Sequence, residues 1–125
     1  MNSLIKITAI TGAIAVGLGA FAAHGLKPLL DAGQIETFKT GSTYHFVHLL
    51  AMLSIAILPK NDKILTRSFY FFLTGIILFS GSLYVLSTKH LYGDDMWNFI
   101  GPITPVGGLL FILGWLNLLF VKKEI

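Results

Sequence analysis

The chain has 125 residues, of which 54% are hydrophobic and only 12% charged, about half the charge of an ordinary soluble domain, and its mean hydropathy is +0.77. The charges are clustered, leaving uncharged windows of 20, 20, 21 and 26 residues at Lys6–Lys27, Lys39–Lys60, Arg67–Lys89 and Asp95–Lys122, each long enough for a helix of about 20 apolar residues to cross a bilayer. A soluble enzyme, a disordered tail and a nucleic-acid-binding module are excluded, and with no cysteine so are a disulfide framework, a thiolate zinc site and a thiol nucleophile.

The windows predict an all-α membrane protein: a bundle of four transmembrane helices over residues 5–23, 42–58, 68–87 and 105–121, forming one domain that covers residues 1–125. The first span resembles a signal peptide, with Ala20-Phe21-Ala22 as an A-x-A pattern. Retention is the preferred reading, because small residues recur at helix-packing intervals: Ala9, Ala13 and Gly17, and again Ala15, Gly19 and Ala23. Such residues let helix backbones approach closely in lipid. Gly17 and Gly19 are therefore candidate packing positions, within the bundle in preference to a dimer face.

Between the first two spans, Asp31 and Gln34 read as a capping box. Ile35 and Phe38 lie opposite Glu36 and Lys39, which predicts a short amphipathic interfacial helix. The second span stops at Pro59. The fourth begins with Thr104 as N-cap and Pro105 as the first helical residue. Trp97 and Trp115 are expected near opposite membrane interfaces. With four spans, both termini and the loop 59–67 share a side that holds six basic residues, against three on the other. The positive-inside rule then puts both termini in the cytoplasm of a multi-pass plasma-membrane protein.

On this topology the polar residues converge in the outer half. His24 ends span one; Tyr44, His45 and His48 begin span two; Ser80, Ser82 and Tyr84 lie high in span three; Thr104 opens span four. Polar groups in hydrocarbon are costly unless they face the bundle or a cavity, so a polar centre is expected there. His48 is deeper than His45 and is the better candidate to face the bundle, whereas the inner half offers aliphatics, phenylalanines and basic ends. Structural hydrogen bonding is the leading role for these groups. Metal ligation by two imidazoles is chemically allowed, but no carboxylate in the spans completes a site. No metal, haem or other cofactor is expected, and no catalytic residue is assigned. Gly81, Gly107 and Gly108 read as further helix-packing positions.

Three ordered motifs carry a resemblance over essentially the whole chain. Ala20-Phe21-Ala22-Ala23-His24-Gly25-Leu26-Lys27 is similar to a Gly-Ala-Phe-Gly-Ala-His-Gly-Leu signature. Phe79-Ser80-Gly81-Ser82-Leu83-Tyr84 matches a second block. Gly101-Pro102-Ile103-Thr104-Pro105-Val106-Gly107-Gly108, followed by Gly114-Trp115-Leu116, resembles a third. Together they resemble the domain-of-unknown-function 423 family, the YgdD/YwdK-like small integral membrane proteins of the bacterial inner membrane. The resemblance implies four plasma-membrane helices and carries its pattern to His24, Tyr44, His48, Ser82, Tyr84, Thr104 and Pro105; it implies no established activity. Position 45, often glutamine in relatives, is His45 here, and a usual glycine is Ala22. The expected partners are the lipid bilayer and a larger membrane complex or a homo-oligomer, with no nucleic acid. The leading functional expectation is a non-enzymatic accessory or stabilising subunit. The alternative is an oligomeric conduit or carrier for a small solute or proton.

Overall fold

The computed structural model describes residues 2–59, 62–93 and 99–122, and among these every regular element is helical. Helix α1 runs Asn2–Phe21 and continues through a π turn, Ala22–Leu26, and a 3-10 turn, Lys27–Leu29. Helix α2 spans Ala32–Ala56. Helix α3 runs Lys63–Gly75, passes through a π turn at Ile76–Ser80, and continues as Gly81–Thr88 and Lys89–Leu91. Helix α4 is Ile103–Asn117 with a terminal 3-10 turn, Leu118–Phe120. Three of these runs are long and apolar enough to cross a membrane: Ser3–Leu29, Lys63–Leu91 and Ile103–Phe120. Trp97, Lys60, Asp94, Asp95, Lys123 and Glu124, which entered the boundary and orientation expectations, lie outside the described residues.

Local chemistry sets the helix ends. The Asp31 carboxylate accepts from Gln34 N at 2.8 Å, and the Gln34 side chain accepts from Asp31 N at 2.9 Å, which satisfies two otherwise orphaned donors. Asp62 starts α3 the same way, accepting from Ile64 N at 2.7 Å and Leu65 N at 3.2 Å. Past the C-terminal end of α3, Gly93 takes φ 126°, a conformation open to glycine.

Two boundary expectations are corrected. The amphipathic segment is not a separate helix but the opening turns of α2, which runs unbroken through Gly41. No proline interrupts Ala32–Ala56, and Gly41, buried against the Ser80 carbonyl (Cβ position to oxygen 3.3 Å), gains there a contact that offsets its weak helix propensity. Thr104 is not an N-cap. Helix α4 begins at Ile103 with no side-chain cap, and the Thr104 hydroxyl turns to Ser82 instead. Pro105 still falls in the first turn, where an N–H would have no intrahelical partner.

Consecutive helices pack on one another, α3 against α4 most extensively. The facing pairs Ser82/Thr104, Phe79/Gly107, Gly75/Phe111 and Phe72/Gly114 advance on one helix as they recede on the other, so α3 and α4 are antiparallel and meet at intervals of three and four residues. Glycines let the phenylalanines in. The space beside Gly75 holds the Phe111 ring, with Cε1 2.6 Å from where a Cβ would stand, and Phe72 Cε1 is 2.6 Å from the same position at Gly114. Phe69, Phe72, Met52, Ala56, Ile76 and Phe111 form the main core, which Leu4 and Ile7 of α1 close from the side. A second core of Leu26, Leu30 and Phe38 joins the end of α1 to the start of α2.

The packing glycines differ sharply. At Gly107 a Cβ would overlap Phe79 N and lie 2.7 Å from the Leu78 carbonyl carbon, whereas at Gly108 it would meet the Phe79 ring at an ordinary 3.6 Å. A Cβ at Gly81 would also sit comfortably, 3.9 Å from Ile76 O. At Gly17 and Gly19 it would meet nothing within 4 Å, so within one chain these two do not seat a neighbouring helix. Gly107→Ala is accordingly expected to lower stability by about 1–3 kcal/mol through forced separation of two backbones, and Gly108→Ala to change it little. Thermal unfolding of both variants in detergent checks the difference.

Candidate functional site

The polar side chains form a ladder of links along the bundle: three rungs involve α3, and the His48–Trp115 rung joins α2 to α4. At the outer end Ser82 and Thr104 hydroxyls meet at 2.5 Å, while Ser82 also donates to Phe79 O at 2.8 Å; Thr104 therefore donates to Ser82, joining α4 to α3. Tyr84 bonds His45 Nδ1 at 2.8 Å and joins α3 to α2. Deeper, His48 Nδ1 donates to Tyr44 O at 2.8 Å, and Nε2 accepts from Trp115 Nε1 at 2.9 Å. A carbonyl can only accept, so this pair of bonds selects the neutral Nδ1–H tautomer. The lowest link is Ser68, which donates to Gly114 O at 2.8 Å and accepts from Asn117 Nδ2 at 2.8 Å; Asn117 also donates to Ile64 O at 2.8 Å. From Ser82 to Ser68 the ladder covers about 21 Å of helix at 1.5 Å per residue.

His45 and His48 are both buried, 2% and 4% exposed. Three residues apart, they are offset by about 60° around α2, which sends His45 toward Tyr84 of α3 and His48 into an aromatic box against α4. The His48 ring stacks on Phe111 at 3.7 Å between centroids, nearly parallel at 10°, with Phe72 at 5.4 Å and Trp115 edge-on at 5.8 Å. Tyr44 lies beside it, 4.8 Å from Phe79 and 6.1 Å from Phe111. Along one flank Tyr44, His48, Phe79, Phe111 and Trp115 line an open cleft of about 560 Å³.

The expected members are thus only partly gathered. His24 is exposed in the π turn of α1 and, among the described residues, shares no hydrogen bond with the others. Ser80 is fully buried with its hydroxyl unpartnered. His45, expected to lie shallower than His48, is as fully buried as His48. The Nε2 of His45 also has no hydrogen-bond partner. Trp115 is not a free interfacial indole, because its N–H is held by His48. Among the described residues no three His, Asp or Glu side chains gather to hold a metal ion.

Two polar features escaped the sequence reading. The half of the bundle expected to be purely apolar is not: Ser68 and Asn117 tie α3 to α4 there, and an amide within an apolar run was the available signal. His90 closes the outer end, its Nδ1 accepting from Gln34 Nε2 at 3.2 Å and its Nε2 donating to Leu29 O at 3.2 Å. It thereby clips α3 to the α1–α2 connection.

Because His48 uses both nitrogens and a stacked face whereas His45 uses one nitrogen, His48→Ala is expected to destabilise more than His45→Ala. Stranding the Trp115 donor alone costs about 1–3 kcal/mol. Melting of the two variants in one detergent tests the ranking; equal losses would sink it.

The family described as "Protein of unknown function (DUF423)" matches residues 18–108. A UPF0382 membrane protein of Haemophilus influenzae is 40% identical over 120 residues, 95% of this chain and 92% of the relative. UPF0382 membrane protein YwdK of Bacillus subtilis is 38% identical over 121 residues, covering 93% and 92% of the two chains. UPF0382 inner membrane protein YgdD of Escherichia coli is 39% identical over 116 residues, covering 90% and 82%. No solved structure matches.

Proposed function

The chain belongs to the DUF423 family and is a membrane protein, and we propose that it crosses the plasma membrane four times, with both termini cytoplasmic, as a non-enzymatic accessory or stabilising subunit of a larger membrane complex. The observation that carries this reading is the use made of the reactive groups. His48 Nε2, the hydroxyls of Ser82 and Thr104, and Ser68 with Asn117 are spent on links between helices, while His48 Nδ1 is spent on the Tyr44 carbonyl of its own helix, so the chemistry-bearing side chains act largely as interhelical glue.

Helix α2 supplies the second crossing in this reading. Its composition is less apolar than that of the other three because it carries buried imidazoles, but its outward face is aliphatic: Val47, Leu50, Leu53 and Ile57 are all exposed at intervals of three and four residues. Lipid suits that face and the interior of the protein suits the other. The six-to-three distribution of basic residues supports cytoplasmic termini. A reporter fused after Lys123 is expected to be active only in the cytoplasm, and one fused near Gly93 only outside it; a C-terminal fusion active outside would reverse the orientation.

One observation favours the conduit alternative. The unpartnered His45 Nε2 belongs to a ring that lines a cavity of about 330 Å³ together with Thr11 and Tyr84, and an imidazole with a free nitrogen can pass a proton. Purification from native membranes in mild detergent separates the two readings. Stoichiometric recovery with a larger complex is expected for the accessory subunit. A pure homo-oligomer that dissipates a pH gradient in liposomes, and loses that ability in His45→Phe, would instead establish the conduit.

A further inference from the structure

A slot of about 310 Å³ lies between the π turn of α1 and the opening turns of α2. Its floor is Gly19, Ala22 and Ala23, its far wall Ile35 and Phe38, and two ammonium groups, Lys27 and Lys39, stand at its rim. The floor is open because the chain places small residues on the last turn of α1 and the start of its π turn: a Cβ built on Gly19 would meet nothing within 4 Å. Leu26, Leu30 and Phe38 back the slot as a buried cluster, so the space does not depend on a mobile loop.

The charges around the slot are arranged to leave the lysines free. Asp31 is engaged with Gln34 N in the capping box. Glu36 is exposed one turn before Lys39. Among the described residues neither Lys27 nor Lys39 has a carboxylate within ion-pair distance. The slot thus presents an apolar trough that ends at two uncompensated positive charges, the complement of an amphiphile with an acyl chain and an anionic head. A zwitterionic lipid would bring its own cation to the same place, where both lysines repel it.

We propose that this slot binds one anionic phospholipid, the acyl chain lying over Gly19, Ala22 and Ala23 and the phosphate held between Lys27 and Lys39. The site needs only the membrane location of the chain and is independent of the accessory-subunit reading. Its chemistry is that of a basic pocket beside a helix at the membrane surface, where each lysine strengthens anionic-lipid binding about fivefold.

The full chain, purified in mild detergent, is titrated with phosphatidylglycerol, phosphatidylcholine and inorganic phosphate, and bound lipid is counted by native mass spectrometry alongside thermal unfolding. One phosphatidylglycerol should be retained and should raise the melting temperature, while phosphatidylcholine and inorganic phosphate do neither. Lys27→Gln and Lys39→Gln should each weaken binding about fivefold, and the double variant about 25-fold. Gly19→Leu, whose Cβ would meet nothing within 4 Å and whose side chain would enter the slot, should keep the parent's lipid-free melting temperature and abolish retention. Equal retention of phosphatidylcholine, displacement of the lipid by inorganic phosphate, or undiminished binding in Gly19→Leu would each overturn the proposal. So would a dimer that Gly19→Leu dissociates, since a second copy would then be the occupant.

Discussion

The close approach of α4 to the backbone of α3 at Gly107 governs most of what the protein does with its polar side chains. At that crossing there is no room for a methyl group between Gly107 and Phe79 N, so the helix axes are held nearer than side chains would ordinarily allow. Three residues outward on each helix, Ser82 and Thr104 come within 2.5 Å. Inward, Phe111 reaches the face of Gly75, Phe72 reaches Gly114, and Ser68 reaches the Gly114 carbonyl. Widening the crossing would lengthen every one of these contacts at once.

The π turn at Ile76–Ser80 contributes to the same effect from the other side. Its backbone receives Gly107 of α4 at Leu78–Phe79 and Gly41 of α2 at the Ser80 carbonyl. The expanded turn therefore sits between two glycines from two neighbours, and α3 becomes the helix on which both are registered. Helix α1 has no comparable anchor. Its buried threonines, Thr8 and Thr11, return their hydroxyls to carbonyls of their own helix, and its packing is supported by apolar contact and by the His90 bond to Leu29 O.

What could be read in the sequence was what is local. The hydropathy windows located three long apolar helices, and the Asp31–Gln34 capping box follows from a three-residue spacing that any helix start imposes. The π turns left no such mark: widening a turn needs no special residue, and the segments Ala22–Leu26 and Ile76–Ser80 read as ordinary apolar helix. Gly107 and Gly108 are indistinguishable as a dipeptide, and only the face of α4 turned to the α3 backbone makes one indispensable and the other ordinary. The links that place Trp115 on His48 and Asn117 on Ser68 join residues 67 and 49 positions apart. No periodicity of a single helix reports such a pairing, and the indole was therefore assigned to the interface that indoles usually prefer.

The partners of the two buried imidazoles also stand in an order along the chain. His45 waits for Tyr84, made 39 residues later, and His48 for Trp115, made 67 residues later. While the ribosome is still producing that stretch, His48 can bond only the Tyr44 carbonyl of its own helix, and His45 Nδ1 and His48 Nε2 must find other partners. Helix α2 cannot settle as it does in the finished fold until α3 and then α4 have emerged. A nascent chain cut short before Trp115 would lack the donor for His48 Nε2, so the last of these polar links of the second helix is made only once the fourth has been synthesised.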